Sequence, residues 1–465
     1  MGISSELAKF VANTTWNDIP DEAKKIQKRS LLDGIAITYG AGTLGSGAAQ
    51  CVDYAVEMAG AEGKGDCSVI GFNKKLPMMW AAFANGSMQH GLDFGDMYST
   101  GAIHSNASTL AAVLAVAQHM GGVDGKKFLT AFILGSEVAC RLSSAVIPSE
   151  GSRHGFYMPP VFTSIAATAA VCKLMDLDEE QIKSAFSITI SSFTCSAELK
   201  RTADTDIRSI RECFGAQAAI NAAELAKRGI KGFDAPFEGE QGFYFAYYRE
   251  GYNPEPVLKD LGKVYECAKL VYKPWPCCMG THAAIKAALD IVAEHGVKAE
   301  DIESIFAEVP TLAASNVCEP EGNKKHPQNS SNAKFSLPYT VAVAIIDGDV
   351  TLDSFGDDQI KREDLLALAE KVNHRAMTEW DDDPVLRLGS RLTSKLNDGT
   401  EHTEWVKYLF GSLENPMEDA DFERKLRSSA KHAPVPPSEE ILDKVIEYVD
   451  GIEDLADIRM LADLL

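Results

Sequence analysis

Three alanine-rich stretches constrain this chain more than any other feature: Ser108 to Met120, Phe162 to Met175 and Phe214 to Arg228. Each has the length of a helix and carries small residues on several faces, so neighbouring backbones can approach closely. The pattern predicts a compact, deeply packed helical bundle. Pro20 with Asp21 and Glu22 predicts a further helix start ahead of Ala23 to Leu32, since proline suits a first turn and acids complement the helix dipole there. Gly229 follows Lys227 and Arg228 as a helix-ending glycine does.

After about residue 265 the texture changes. Ser304 to Val309 tends to alternate, and Arg387 to Leu396, Asn397-Asp398-Gly399 and Thr400 to Val406 read as two strands joined by a tight turn. The tail from Ser438 to Leu465 is helical and acidic again, behind the proline-rich His432 to Pro437. The pattern predicts a mainly α protein with an inserted α+β module. At 465 residues the chain has room for two or three domains, without internal repeats or a long low-complexity linker.

With 45 basic and 67 acidic residues the formal charge is −22, which opposes binding to nucleic acid or to an anionic membrane. An anionic substrate would therefore need basic groups gathered in a local pocket. Ten cysteines without any C-x-x-C spacing make neither a disulfide scaffold nor a zinc site, and read as free thiols in a reducing cytosol. Met1 to Glu6 has no targeting pattern, and apolar stretches such as Thr109 to Ala117 are far shorter than the roughly 20 residues of a membrane span. A cytoplasmic location is expected.

Gly40-Ala41-Gly42-Thr43-Leu44-Gly45 matches G-x-G-x-x-G, with Glu62 and Asp66 downstream where a dinucleotide site places an acid. The residues before it have helical spacing (Ile26, Leu31, Ile35), and no alternating strand and helix series follows. A loop between helices is the expectation, with a nicotinamide-dependent oxidoreductase as the other reading. More informative is Ala84 to Met97, containing His90, Asp93 and Asp96, followed by His104 ahead of a helix. Two histidines and two acids can supply a general base with a carboxylate to orient it, although surface helix ends also collect such groups.

From here the chain resembles the MmgE/PrpD family, which includes 2-methylcitrate dehydratase, cis-aconitate decarboxylase and iminodisuccinate epimerase. The resemblance lies in Leu31-Leu32-Asp33-Gly34, Asn85-Gly86 with His90-Gly91-Leu92-Asp93-Phe94, His104, and Ala169 to Asp178. It continues in Lys273-Pro274-Trp275-Pro276-Cys277-Cys278 with Thr281-His282, and in Lys334 to Tyr339 leading to Asp347-Gly348. It implies a helical domain of residues 1–265 completed by 407–465, an α+β lid of 266–406, a homodimer, no cofactor and no metal, and a cleft between the domains. Asp93, His104, Lys273 and Tyr339 fall where the family's active-site aspartate, histidine, lysine and tyrosine stand, and with Arg208 they are expected on one cavity.

Four positions depart from the resemblance. Tyr157 stands where the dehydratase and decarboxylase carry a second histidine, with His154 nearby; Arg208 replaces a catalytic lysine, Met97 a threonine and Cys278 the decarboxylase's histidine. Arg208 cannot be a neutral base, but its fork can hold a carboxylate through two parallel bonds. Tyr157 is at best a weak acid; Cys278 is either an activated thiol or a buried inert one. His282 reads equally as a helix-capping or core group and as a catalytic one, and Arg211, Lys200 and Arg201 as added positive field or as ordinary solvated charges. The resemblance implies a cofactor-independent lyase or epimerase that removes a proton next to a carboxylate of a small di- or tricarboxylate. It also implies weak turnover of 2-methylcitrate and cis-aconitate, given Arg208. The alternative is a non-catalytic carboxylate-binding or interaction protein on the same scaffold.

Overall fold

The helix begun by Pro20 and its acids does not stop at Leu32: α1 spans Asp21–Leu44, and Gly40 and Gly42 are buried within it. The G-x-G-x-x-G segment is thus neither a loop nor a phosphate cradle, because its first five residues are helical and only Gly45 caps the end, donating its N–H to Ala41 O. Gly42 serves packing, since a Cβ there would stand 2.7 Å from Pro434 Cδ. The computed structural model describes residues 2–60, 65–147, 155–200, 202, 205–249, 251–383 and 385–465. Glu62, His154 and Arg201 lie outside them.

The chain divides into two units, Met1–Val271 with Asp419–Leu465, and Tyr272–Glu418. The breaks thus fall after Val271 and Glu418 rather than after 265 and 406. In the first unit the alanine-rich stretches are α3 (Ala107–Met120), α5 (Pro159–Leu174) and α6 (Glu212–Lys227), packed with α2 (Met78–Met88) and α4 (Gly125–Ser144). Small residues set their separations. A Cβ on Gly86 of α2 would meet Cys213 Cα of α6 at 2.7 Å, and one on Gly135 of α4 would meet Ala166 O of α5 at 2.6 Å. The strands here are a short antiparallel ribbon, Cys67–Val69 against Lys74–Leu76, among the described residues.

The second unit holds a four-stranded sheet of β1 (Ile302–Val309), β2 (Val372–Ala376), β3 (Ser390–Leu396) and β4 (Glu401–Val406) in the order β2-β1-β3-β4. β1 runs parallel to β2 and antiparallel to β3, and β3 pairs β4 with Ser394 opposite His402. The turn between β3 and β4 closes on Gly399 at φ 88°, a conformation glycine adopts without steric cost. Helices α7 (Met279–His295) and α8 (Leu337–Asp347) share a core with the buried face of the sheet, where Ala284, Ala288, Val341 and Ala344 meet Ile305, Ala307 and Leu392. No described helix is long and apolar enough to cross a membrane.

The close approach of α4 and α5 has a testable consequence. Gly135→Ala forces a methyl against the Ala166 carbonyl and Ala170 Cβ, 2.9 Å away, so the helices must separate. Overpacking of this kind destabilises by about 1–3 kcal/mol. Thermal unfolding should show a lowered midpoint for this variant; an unchanged one would mean the two helices do not pack as described.

Candidate active site

The chain between α2 and α3 is irregular, and it carries the histidines. Asp93 adopts φ 53° and Ala102 φ 51°, left-handed conformations uncommon for residues with a Cβ, and an aspartate tolerates one better than most. Between them Met97 is tied by a two-way backbone bridge to Val271, 2.8 Å in each direction, and Tyr98 pairs with Ile103. This loop brings His104 back beside His90, with ring centroids 4.5 Å apart.

His104 Nδ1 lies 2.7 Å from the backbone carbonyl of Asp96. A carbonyl only accepts, so Nδ1 carries the hydrogen and the neutral ring keeps its lone pair on Nε2. The partner of Nδ1 is the Asp96 main chain, and the Asp93 carboxylate stands 3.7 Å from His90 Nε2. One ligand atom from each of His90, Asp93 and His104 lies within 4.8 Å of the others, a spacing at which the three could ligate one divalent cation. Among the described residues Glu294, His295 and Glu404 of the second unit form another such group, on its surface.

Behind His104 the loop is anchored by buried polar groups. Asn106 Nδ2 donates to Asp96 Oδ2 at 2.6 Å. Lys425, from the returning helix Asp419–Ala430, donates to the Phe94 carbonyl at 2.6 Å and pairs with Asp33 of α1 at 2.5 Å. Burial pushes the Asp96 carboxyl up to about 7, and the charge of Asp33 adds to the rise. A narrow cavity lies among Asp33, Gln89, His90, Asp96, His104 and Asn106. Lys425 and Asp33 carried no signal as site residues, because their role arises only through contacts across more than 300 positions of chain.

A second polar cluster forms where α3, α5 and α6 meet. Tyr157 is half-buried and donates its N–H to Cys195 O at 2.8 Å. The guanidinium of Arg211 lies over its ring, 5.2 Å from the centroid. Arg208 is half-buried in the short helix Ile207–Ile210, and its carbonyl accepts from Arg211 Nη1. Arg211 itself is buried and stands beside Glu212, whose Oε2 accepts from Ser108 Oγ and Thr163 Oγ1 at 2.7 Å each. Of the two expected readings of Arg211, added positive field or an ordinary solvated charge, burial removes the second.

The remaining sequence candidates belong to the second unit. Lys273 is buried; Cys278 is half-buried as the N-cap of α7 and donates its N–H to Lys334 O at 2.9 Å. Lys324 acts electrostatically with Cys278, and burial holds its ammonium below the usual lysine range; the sequence offered no cue to it. His282 is fully buried, its Nε2 3.2 Å from Cys277 O and its ring against Trp275. Tyr339 is also fully buried, and its hydroxyl donates to Ser354 O at 2.7 Å, while burial pushes its phenol up. A phenol committed to a core carbonyl packs the unit around it.

The family profile of the MmgE/PrpD N-terminal domain matches residues 5–255, and that of the MmgE/PrpD C-terminal domain matches 275–448. The chain belongs to the MmgE/PrpD family. Among curated relatives, the cis-aconitate decarboxylase-like protein oryM of Aspergillus oryzae is 26% identical over all of this chain and 97% of its own. Cis-aconitate decarboxylase of Aspergillus terreus is 24% identical over 100% and 96% of the two chains, and 2-methylcitrate dehydratase of Escherichia coli 25% identical over 73% and 72%. The MmgE/PrpD C-terminal match runs past Glu418 and so includes the helix that supplies Lys425.

The raised Asp96 carboxyl makes stability depend on pH. Folded, the group stays protonated up to about pH 7, whereas unfolded it ionises near pH 4. The folded state therefore binds the extra proton between these values, and this contribution is fully present below about pH 4 and lost as pH rises through about 7. Asp96→Asn removes it, so the variant should gain on the wild type from pH 4 to pH 8, by up to roughly 4 kcal/mol in the limit. Urea unfolding at both ends of that range checks it, and parallel pH profiles would contradict it.

Proposed function

We propose that this chain is a lyase that removes a carbon-bound proton next to a carboxylate of a small tricarboxylate-like substrate, with His104 Nε2 as the base. The observation that carries this reading is the bond from His104 Nδ1 to the Asp96 carbonyl, because it leaves a lone pair on the other nitrogen. The decarboxylase and dehydratase names of its relatives support a carboxylate substrate.

In this scheme the electron pair of the broken C–H bond moves toward the neighbouring carboxylate, and His104 becomes an imidazolium. Asp93, beside the adjoining His90, stabilises that positive charge. Arg208 holds a substrate carboxylate, Tyr157 is a candidate proton donor, and Lys273 and Cys278 are candidates from the second unit. Met97 shapes the site through its backbone bridge to Val271. Where the adjoining carbon bears a hydroxyl, that group leaves with the electron pair as water; carbon dioxide instead departs without its bonding pair, which stays on carbon and takes up a proton from a protonated His104; and return of the abstracted proton to the opposite face would make the reaction an epimerisation. No cofactor is required, so treatment with a chelator leaves turnover unchanged.

Incubation of the protein with a panel of di- and tricarboxylates in deuterated water, followed by proton and mass spectra, identifies the substrate and the reaction. Turnover of 2-methylcitrate and cis-aconitate should be weak beside that of the true substrate. General-base catalysis contributes about 10²–10⁴-fold, so His104→Ala should lower kcat by that factor. Turnover that survives His104→Ala would remove the proposal, as would a folded protein that binds carboxylates and exchanges no proton.

A further inference from the structure

We infer that Arg211 is a carboxylate-binding residue of this site, a fork for one carboxylate of a substrate that carries at least two. The inference rests on the reading of the protein as a carboxylate enzyme and adds to it a residue that the resemblance did not place there. Arg211 is 1% exposed. Its Nη1 is occupied by the Arg208 carbonyl. Its Nε is 3.3 Å from Glu212 Oε1 but not aligned for a hydrogen bond, and among the described residues neither Nε nor Nη2 has an acceptor.

Buried charged donors are costly to leave unsatisfied, so these two require an occupant. Nε and Nη2 lie on the same edge of the guanidinium, and their two N–H bonds run parallel at the spacing of the two oxygens of a carboxylate. Glu212 does not satisfy them: its Oε1 stands beside Nε without aligning for a hydrogen bond, and its Oε2 accepts from Ser108 and Thr163. Its charge offsets that of the buried guanidinium in the ligand-free protein, so a bound carboxylate competes with Glu212 for Arg211. The Tyr157 ring under the guanidinium fixes the plane of the fork. Ser108 lies in the first turn of α3, immediately after the loop that presents His104, so the cluster around Arg211 and the base are built on one segment.

The distinguishing experiment uses tricarballylate, a saturated tricarboxylate, with acetate as the single-carboxylate control. Binding to the full-length protein is measured by calorimetry, and KM and kcat are measured on whichever substrate the panel reveals. Arg211→Lys keeps the charge and removes the fork: tricarballylate binding should weaken at least 10-fold and KM rise similarly, with kcat within threefold. Binding within twofold of the wild type, or no binding by the wild type, overturns the inference. Should Arg211→Lys fail to fold, Glu212→Gln decides, because it removes the carboxylate that stands beside Nε. Binding that tightens threefold or more supports the fork, and unchanged or weaker binding overturns it. Arg211-dependent binding in a protein that turns over nothing keeps the fork and removes the lyase reading. Turnover that depends on His104 but has a KM indifferent to Arg211 does the reverse.

Discussion

The site depends on one hydrogen bond, from His104 Nδ1 to the main-chain carbonyl of Asp96. A carboxylate partner would add charge and leave the proton's position open to exchange; a carbonyl can only accept, so it fixes the tautomer without raising the basicity of the ring as strongly. That carbonyl must itself be held still. Asn106 binds the Asp96 side chain, and Lys425 reaches the Phe94 carbonyl two residues earlier while paired to Asp33. The base is thereby oriented by a loop that is pinned from α1 and from the returning helix at the end of the chain.

Pinning a loop with buried charge is possible here because the surrounding helices pack so closely. Glycine and alanine bring the backbones of α2, α4, α5 and α6 together, and polar groups within the bundle are matched to one another: Glu137 with Arg141 and the Cys267 amide, Glu212 with Ser108 and Thr163. Removing one member of a buried ion pair typically costs about 3–5 kcal/mol, so these contacts specify one arrangement. An anion held as proposed in a chain of charge −22 would meet the local charge of Arg208 and Arg211 rather than the field of the whole molecule, since Lys425 is already paired with Asp33.

The architecture was largely legible in the sequence because it is written in local periodicity. Small residues at helical spacing gave α3, α5 and α6, and the Asn397-Asp398-Gly399 turn between alternating segments gave β3 and β4. Spacing failed at Gly40 to Gly45, where glycines that match a phosphate loop are instead small residues on a buried helix. Within the candidate site, residue type pointed to His104 but not to its partner, since a backbone carbonyl leaves no trace in residue identity. Tyr339 carried a matching residue type, yet its hydroxyl is turned to the core carbonyl of Ser354. Arg208 and Arg211 are one helical turn apart and alike in sequence; burial separates them, and burial depends on α3 and α5 far along the chain.

The tautomer of His104 tests this account most directly. Nitrogen-15 NMR of histidine-labelled protein, with His104→Gln used to assign the signal, reports which ring nitrogen carries the hydrogen at a pH where the ring is neutral. The account predicts a protonated Nδ1 and an unprotonated Nε2. A ring protonated on Nε2 would mean that the Asp96 carbonyl does not orient it, and the base proposed here would have no lone pair to offer.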